Sequence, residues 1–449
     1  MKEENNKHFT VEELNEFNVR SIWIYAGTLG ISRPSAMKKA QLIEQIIKVQ
    51  NGEMVLKPLS KRGRPRSSPM VADGNIPLSG YSTAFRDPNA MDSDGEKYME
   101  GYFLKTEKGD GVLRPTNYIF NVNDPHINEG CAYPLATFED GDLVKCLVRY
   151  HKNGKTSMVT NIVSINGYEP KSYQRKELFD KPLNLQPTML QIKSNNAVCN
   201  MINTFMPIAK GQRGLIFAPH STGATTILKE IAQGVVEDEK IKTIFLACGQ
   251  KPEETEGLKR ELNCEVIVSS VESEYKRAVD ICRLAFARAK QLAKQGYDVL
   301  LLVDSITDYY KVVNYLIKKD NYEGTAAMEI RKYLSYARDF EGEGSITIIG
   351  VMNPDDDNIS PSAMADMVSL INWKMVLSEE LANMRLYPAI DIAKSVSKYE
   401  NVISEKEVYN AVNILRRKIM RGQLFVDDII DAVNEMQDYH EIIDYANKL

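Results

Sequence analysis

The segment Gly214 to Thr226, GLIFAPHSTGATT, is the first place where residue types and spacing point to chemistry. An apolar run ends in a tight polar turn and then in residues that open a helix. A phosphate-binding loop of the form GxxxxGK[ST] has this shape. Its backbone N–H groups cradle phosphate, its lysine reaches the β- and γ-phosphates, and its hydroxyl holds Mg²⁺. Here the loop is Ala218, Pro219, His220, Ser221, Thr222, Gly223, Ala224, Thr225 and Thr226. Gly223 keeps the second glycine position and Thr225 the hydroxyl, but Ala224 stands where the lysine belongs. By its motif alone the segment reads equally well as an ordinary strand-to-helix turn. Further on, DVLLLVDS ends an apolar run at Asp304. That is the form of an acid that holds Mg²⁺ beside bound phosphates, and also of a helix cap.

The second candidate is Lys61-Arg62-Gly63-Arg64-Pro65-Arg66, a basic run with no acid nearby. Arg62 to Pro65 matches an AT-hook core. There the extended arginines lie in the narrow minor groove of A·T-rich DNA, glycine permits close approach and proline keeps the chain extended. Generic phosphate binding to RNA or DNA and a solvated linker are the other readings. The six cysteines form no CxxC pair and the five histidines are scattered. Small buried thiols in a reducing cytoplasm are therefore expected, and no structural metal.

These residues need elements to position them. The chain has 449 residues, 56 Lys+Arg against 61 Asp+Glu, and a formal net charge of −5. That length predicts two to four domains. With 43% hydrophobic and 26% charged residues, disorder throughout is excluded. No apolar run approaches the ~18 residues of a membrane span, and the first ten residues lack the apolar stretch of a secretory signal; the expected location is cytoplasmic, with no membrane partner. Whole-chain basicity is absent, so any nucleic acid must be met by local charge.

Five regions follow. Residues 10–50 read as a helical module, and 51–97, poor in large aliphatics, as a linker. Residues 98–168 alternate short strands with turns, including Asn153-Gly154, and suggest a small OB-type barrel. Residues 169–199 connect. From 200 to 449 strands alternate with helices. The strands RGLIFAP, KTIFLACG, EVIVSS, DVLLLVDS and SITIIGVM are continuous apolar runs, as in a parallel sheet covered on both faces. From about 404 the chain reads as helical.

Four segments carry a family resemblance: Pro207–Pro219, Leu301–Thr307, Gly344–Gly350 and Arg385–Asp391. Their residues, order and approximate spacing closely resemble the ATPase core of the Rho family of bacterial transcription termination factors, through most of 179–449. Residues 10–50 resemble that family's N-terminal helical module and 98–168 its OB-type RNA-binding domain. The resemblance implies a multidomain protein whose α/β core is a RecA-like P-loop ATPase. It implies a ring hexamer that binds single-stranded RNA, threads it through a central channel and hydrolyses ATP between subunits to move toward RNA polymerase.

Carried over residue by residue, the resemblance also shows departures. Two unit charges ~4 Å apart interact by about 4 kcal/mol at an effective dielectric near 20. The missing lysine at Ala224 should thus weaken ATP and Mg²⁺ binding, and Lys229, further along the same helix, cannot point back. Gln250 takes the place of the catalytic glutamate, and an amide is a negligible base; Glu253 and Glu254 match the acids that follow. Lys398 takes the place of the arginine finger, without its bidentate fork. Arg385 is retained, and Tyr387 falls where an aromatic stacks on adenine, or is a core aromatic. In the OB-type region Gly109 to Arg114 keeps Arg114 but lacks both stacking rings. Tyr102, Phe103, Tyr118 and Phe120 are either a substitute platform or barrel core. One channel loop retains the basic Lys318 and Lys319. The other carries Asp355, Asp356 and Asp357, acids that would repel RNA. The expectation is a Rho-like nucleic-acid-binding factor in transcription termination or its regulation, with hydrolysis impaired or lost. It would bind RNA and, through 61–66, DNA, in a homo-hexamer or a ring mixed with a conventional Rho. A working RNA-dependent ATPase and a non-catalytic modulator of an active ring are the alternatives.

Overall fold

The computed structural model describes residues 37–51, 96–106, 110–116, 118, 120, 124–127, 133–149, 157–174, 177–190, 192–193, 196–235, 240–320 and 325–449, together with Thr10, Val11, Leu14, Ile22, Ala26, Leu29 and Ile31. The basic run 61–66 and the Asn153-Gly154 turn lie outside the described residues. The chain divides into two compact units. One comprises Met1–Glu100, Pro125–Leu135 and Val144–Tyr173, the other Gly101–Asp124, Ala136–Leu143 and Gln174–Leu449.

In the N-terminal region the helix Lys39–Gln50 buries Leu42, Ile43 and Ile46, one face of a 3.6-residue period. They join Leu14, Ile22, Ala26 and Ile31 in a small apolar cluster. Then come β1 (Glu96–Lys105), β2 (Gly111–Pro115), β3 (His126–Ile127), β4 (Leu143–Arg149) and β5 (Met158–Ile165). They close into a barrel in the order β1-β2-β3-β5-β4. β4 and β5 pair antiparallel, from Val144 opposite Ile165 to Arg149 opposite Met158.

The remaining strands are β6 (Arg213–Phe217), β7 (Ile241–Gln250), β8 (Glu265–Ser270), β9 (Asp298–Asp304), β10 (Arg338–Asp339), β11 (Ser345–Met352), β12 (Trp373–Val376) and β13 (Val396–Ser397). They form one sheet in the order β13-β12-β6-β11-β9-β7-β8, with β10 paired to β11. From β12 to β8 every pairing is parallel. Alternate side chains enter two different cores. Ile216, Phe245, Ala247, Leu300 and Leu302 face one, and Leu215, Phe217, Ile244, Leu246, Leu301 and Val303 the other. This two-fold alternation between two apolar layers is why the strands read as unbroken apolar runs. Each fully buried Leu, Ile, Val or Phe contributes about 1.5–3 kcal/mol. The sequence reading found β6, β7, β8, β9 and β11; β10, β12 and β13 are additions. No helix among the described residues is long and apolar enough to cross a membrane.

Candidate functional site

Parallel pairing brings several strand ends to one edge. Phe217 lies opposite Met352 and Val376, Val303 opposite Gly350, and Ala247 opposite Asp304. The turns after β6, β7, β9 and β11 therefore open together at the carboxyl edge, where open α/β sheets bind ligands. Gly350 makes this possible. A Cβ there would meet Ile306 Cγ1 at 2.4 Å, so only glycine lets the helix Ile306–Asp320 start directly behind Asp304.

The loop after β6 bends through Ser221 at φ 62° and Gly223 at φ 90°, a conformation that favours glycine at the second position. Thr222 is buried and donates from Oγ1 to the Pro219 carbonyl at 2.8 Å. The helix Ala224–Gly234 begins immediately after Gly223. A Cβ on Gly223 would lie 3.7 Å from Tyr387 Cε1, so the Tyr387 ring stands beside the loop, and it is 43% exposed. Arg385 is also exposed, two positions earlier, at φ 62°.

Thr225 Oγ1 donates to Asp304 Oδ2 at 2.7 Å. Asp304 is almost fully buried. Burial pushes its carboxyl up to about 6, with Asp308 and Glu254 adding to the rise and the Thr225 hydrogen bond opposing it. A hydroxyl and a carboxylate side by side are hard oxygen ligands of the kind Mg²⁺ takes. Backbone N–H groups at the helix start, with the open Gly223 turn, form a cradle for phosphate. These residues fit a Mg²⁺-bound nucleotide in every respect except charge. Ala224 supplies no cation. Lys229 forms an ion pair with Glu261 and does not turn back to the loop. Lys311 is held by Asp356 at 2.7 Å and by Asp308 at 3.4 Å.

Gln250, at the end of β7, is half-buried, and its carbonyl accepts the Val271 N–H at 3.1 Å. Glu253 and Glu254 are exposed in the first turn of the helix Pro252–Glu261. Lys398 is not brought to this group. It follows β13, which pairs with the amino end of β12 at Trp373. Trp373 lies opposite Gly214, whereas the phosphate loop leaves the far end of β6. At ~3.3 Å per residue the separation is roughly 10 Å along the strands, so Lys398 cannot serve the loop of its own chain.

The nucleic-acid candidates fare differently. Arg114 does not present a cation for RNA: its guanidinium pairs with Asp124 at 3.0 Å and Asp280 at 3.3 Å and lies over the Phe120 ring. The reason is local charge balance, since two carboxylates meet one arginine in a largely enclosed place. Tyr102, Phe103, Tyr118 and Phe120 are all buried. Tyr102 stacks on Tyr118 and Phe103 on Phe138, so they are packing residues rather than a stacking platform. Within the acidic turn, Asp355 and Asp357 are exposed, while Lys311 pairs with Asp356 and, with two hydrogen bonds from Asn358, holds its carboxyl below the usual range against a desolvation that works the other way. Lys318 is exposed. His220, one of the loop residues expected from the sequence to bind nucleotide, has its Nε2 3.0 Å from Asn353 Nδ2. Lys311 was not singled out from the sequence, although the Asp308–Lys311 spacing on one helix face was a legible signal.

Asp304 supplies a test. Its folded-state value lies above the ~3.9 of an unfolded aspartate, so between those two values the native state binds the extra proton and stability falls as pH rises. At pH 7 the burial cost is fully expressed. Asp304→Asn, which keeps an acceptor for Thr225, should stabilise the protein by up to about 3 kcal/mol at pH 7 and by almost nothing at pH 4. Urea unfolding of both proteins at the two pH values measures this; an equal effect at both would contradict the assigned burial.

Comparison with known proteins places this geometry. The ATP synthase alpha/beta family, nucleotide-binding domain, matches residues 199–397. The transcription termination factor Rho of Thermotoga maritima is 26% identical over 465 residues, covering 99% of this chain and 98% of that protein. Rho of Borreliella burgdorferi is 29% identical over 334 residues, covering 71% and 64%, and Rho of Bacillus subtilis is 27% identical over 370 residues, covering 78% and 85%. A solved ATPase from the type III secretion system of pathogenic bacteria shares the fold with a TM-score of 0.51 at 21% identity, covering 65% of this chain and 94% of that one. The parallel sheet with its loop after β6 is thus a RecA-like P-loop ATPase core, and the chain is a distant Rho-like protein.

Proposed function

We propose that this chain is a Rho-like nucleic-acid-binding factor in transcription termination or its regulation, in which ATP hydrolysis is impaired or lost. The observation that carries the reading is a phosphate cradle with an intact Thr225–Asp304 pair and no cation from its own loop. In this reading the turn from Pro219 to Ala224 holds phosphates by backbone N–H groups, Thr225 and Asp304 hold Mg²⁺, and Tyr387 stacks on the base. Bound Mg²⁺ would neutralise part of the phosphate charge. Gln250 can orient a water by hydrogen bonding but cannot take its proton. Binding therefore survives better than turnover, because the lysine and the base act most strongly on the transition state.

RNA binding is proposed through the basic run Lys61–Arg66, with DNA as a second ligand of that run. Assembly into a ring, either of identical chains or mixed with a conventional Rho, would give the exposed Lys398 a neighbour's loop to meet, since its own is out of reach. Contact with RNA polymerase would follow indirectly through the transcript. The retained Thr225–Asp304 pair also favours a second reading, a working RNA-dependent ATPase.

Phosphate release from ATP with and without RNA separates the two readings. The proposed function predicts no RNA-stimulated release above that of Asp304→Asn; stimulated release abolished by this substitution would establish the working ATPase instead. For the basic run, deleting residues 61–66 should lower nucleic-acid affinity and flatten its salt dependence, because fewer counterions are released. If affinity and slope both stay as in the full chain, the run is a solvated linker.

A further inference from the structure

We propose that His220 is the phosphate-responsive group of this loop. In the free protein it is neutral and held by Asn353. On meeting a nucleotide's phosphate it takes up a proton, and that releases the turn from Asn353 to Asn358. The inference rests on the nucleotide reading of the loop and adds to it a residue, a proton and a moving part.

The orientation of Asn353 fixes the state of the imidazole. Asn353 Oδ1 accepts the Asp355 N–H at 3.0 Å, so the amide carbonyl faces the turn and Nδ2 faces His220 Nε2 at 3.0 Å. An amide NH₂ group only donates. His220 Nε2 must therefore be the unprotonated nitrogen, and the ring is neutral with its proton on Nδ1. An imidazolium carries N–H on both nitrogens and would set donor against donor. Charging His220 and keeping Asn353 are mutually exclusive.

The charge balance of the site calls for such a group. His220 is the sole titratable side chain from Ala218 to Thr226, and it is exposed. Asp355, Asp356 and Asp357 lie on the turn after β11, Asp304, Asp308 and Lys311 at and after the end of β9, and the exposed Arg385 two positions before Tyr387, whose ring flanks Gly223. Lys311 is already paired with Asp356. A nucleoside di- or triphosphate entering here meets acids and no free cation of the loop, so its negative charge favours the imidazolium.

The turn is built to respond. Its amino end is fixed by Asn353, whose own N–H donates to Thr307 Oγ1 at 2.8 Å. Its far side is fixed by Asp356, which accepts from Asn358 and pairs with Lys311. Losing the bond to His220 leaves Asn353 Nδ2 without that partner and loosens the amide whose Oδ1 holds the Asp355 N–H, while Lys311 keeps the far side anchored.

Calorimetry of MgATP binding to the full chain, in buffers of different ionisation enthalpy and from pH 6.5 to 8.5, reads the proton directly. The expected result is proton uptake on binding and an affinity that falls as pH rises. His220→Gln keeps an acceptor for Asn353 but cannot charge, so it should bind ATP with neither effect. Asn353→Ala, with no bond to break, should bind several-fold more tightly than wild type. Hydrogen exchange at residues 353–358 should rise with ATP in wild type, be already raised without ATP in Asn353→Ala, and stay low in His220→Gln. Proton uptake that is absent in wild type, or unchanged in His220→Gln, overturns the proposal. If no ATP binds, the nucleotide reading fails, and the latch is judged alone by exchange at Asp355 as pH is lowered. Exchange that outpaces its intrinsic pH dependence in wild type but not in His220→Gln supports the latch, and equal behaviour in both refutes it.

Discussion

The hydrogen bond from Thr225 to Asp304 is the interaction on which the site depends. It ties the first turn of the helix after β6 to the end of β9, with β11 between the two strands, and the parallel register brings both ends to the same edge of the sheet. It also lets a carboxylate stay in an almost dry place. Burial drives that carboxyl upward, and the threonine hydroxyl is the one group that eases it, against two nearby acids. A divalent cation would relieve the same tension more fully, since it carries the opposite charge and takes the same oxygens.

Around this pair the surroundings are acidic and their lysines are spoken for. Lys229 turns to Glu261 and Lys311 to Asp356. In the proposed reading the loop would hold phosphate by backbone geometry with no lysine of its own. Binding and turnover would then separate, because backbone N–H groups serve the ground state while a mobile cation and a base serve the transition state.

Much of the core was legible in the chain. β6, β7, β8, β9 and β11 announce themselves as apolar runs because both faces of the sheet are covered, so no polar alternation interrupts them. β12 was hidden. It is short, and Lys374 interrupts it, lying over the Phe217 ring and outside any apolar pattern. Thr225 and Asp304 were each legible from a local pattern, one a strand-loop-helix turn and the other an acid ending an apolar strand, although 79 residues separate them. The pairing of Arg114 was not legible because its partner Asp280 is distant in sequence and the strand β2 that carries it gives no sign of it. The same limit hid the partner of His220, the amide of Asn353, which is remote in sequence. Local pattern reveals elements and motifs; charge pairing across the fold decides which of the motif's residues remain available.

The central proposal is that this loop is a phosphate site without its cation. Equilibrium binding of MgATP to Ala224→Lys and to the natural chain tests it most directly. One added ammonium beside the triphosphate should tighten binding at least about tenfold, a gain of about 1.4 kcal/mol. Affinity unchanged by the restored lysine would contradict the account and show that the cradle is not where phosphate sits.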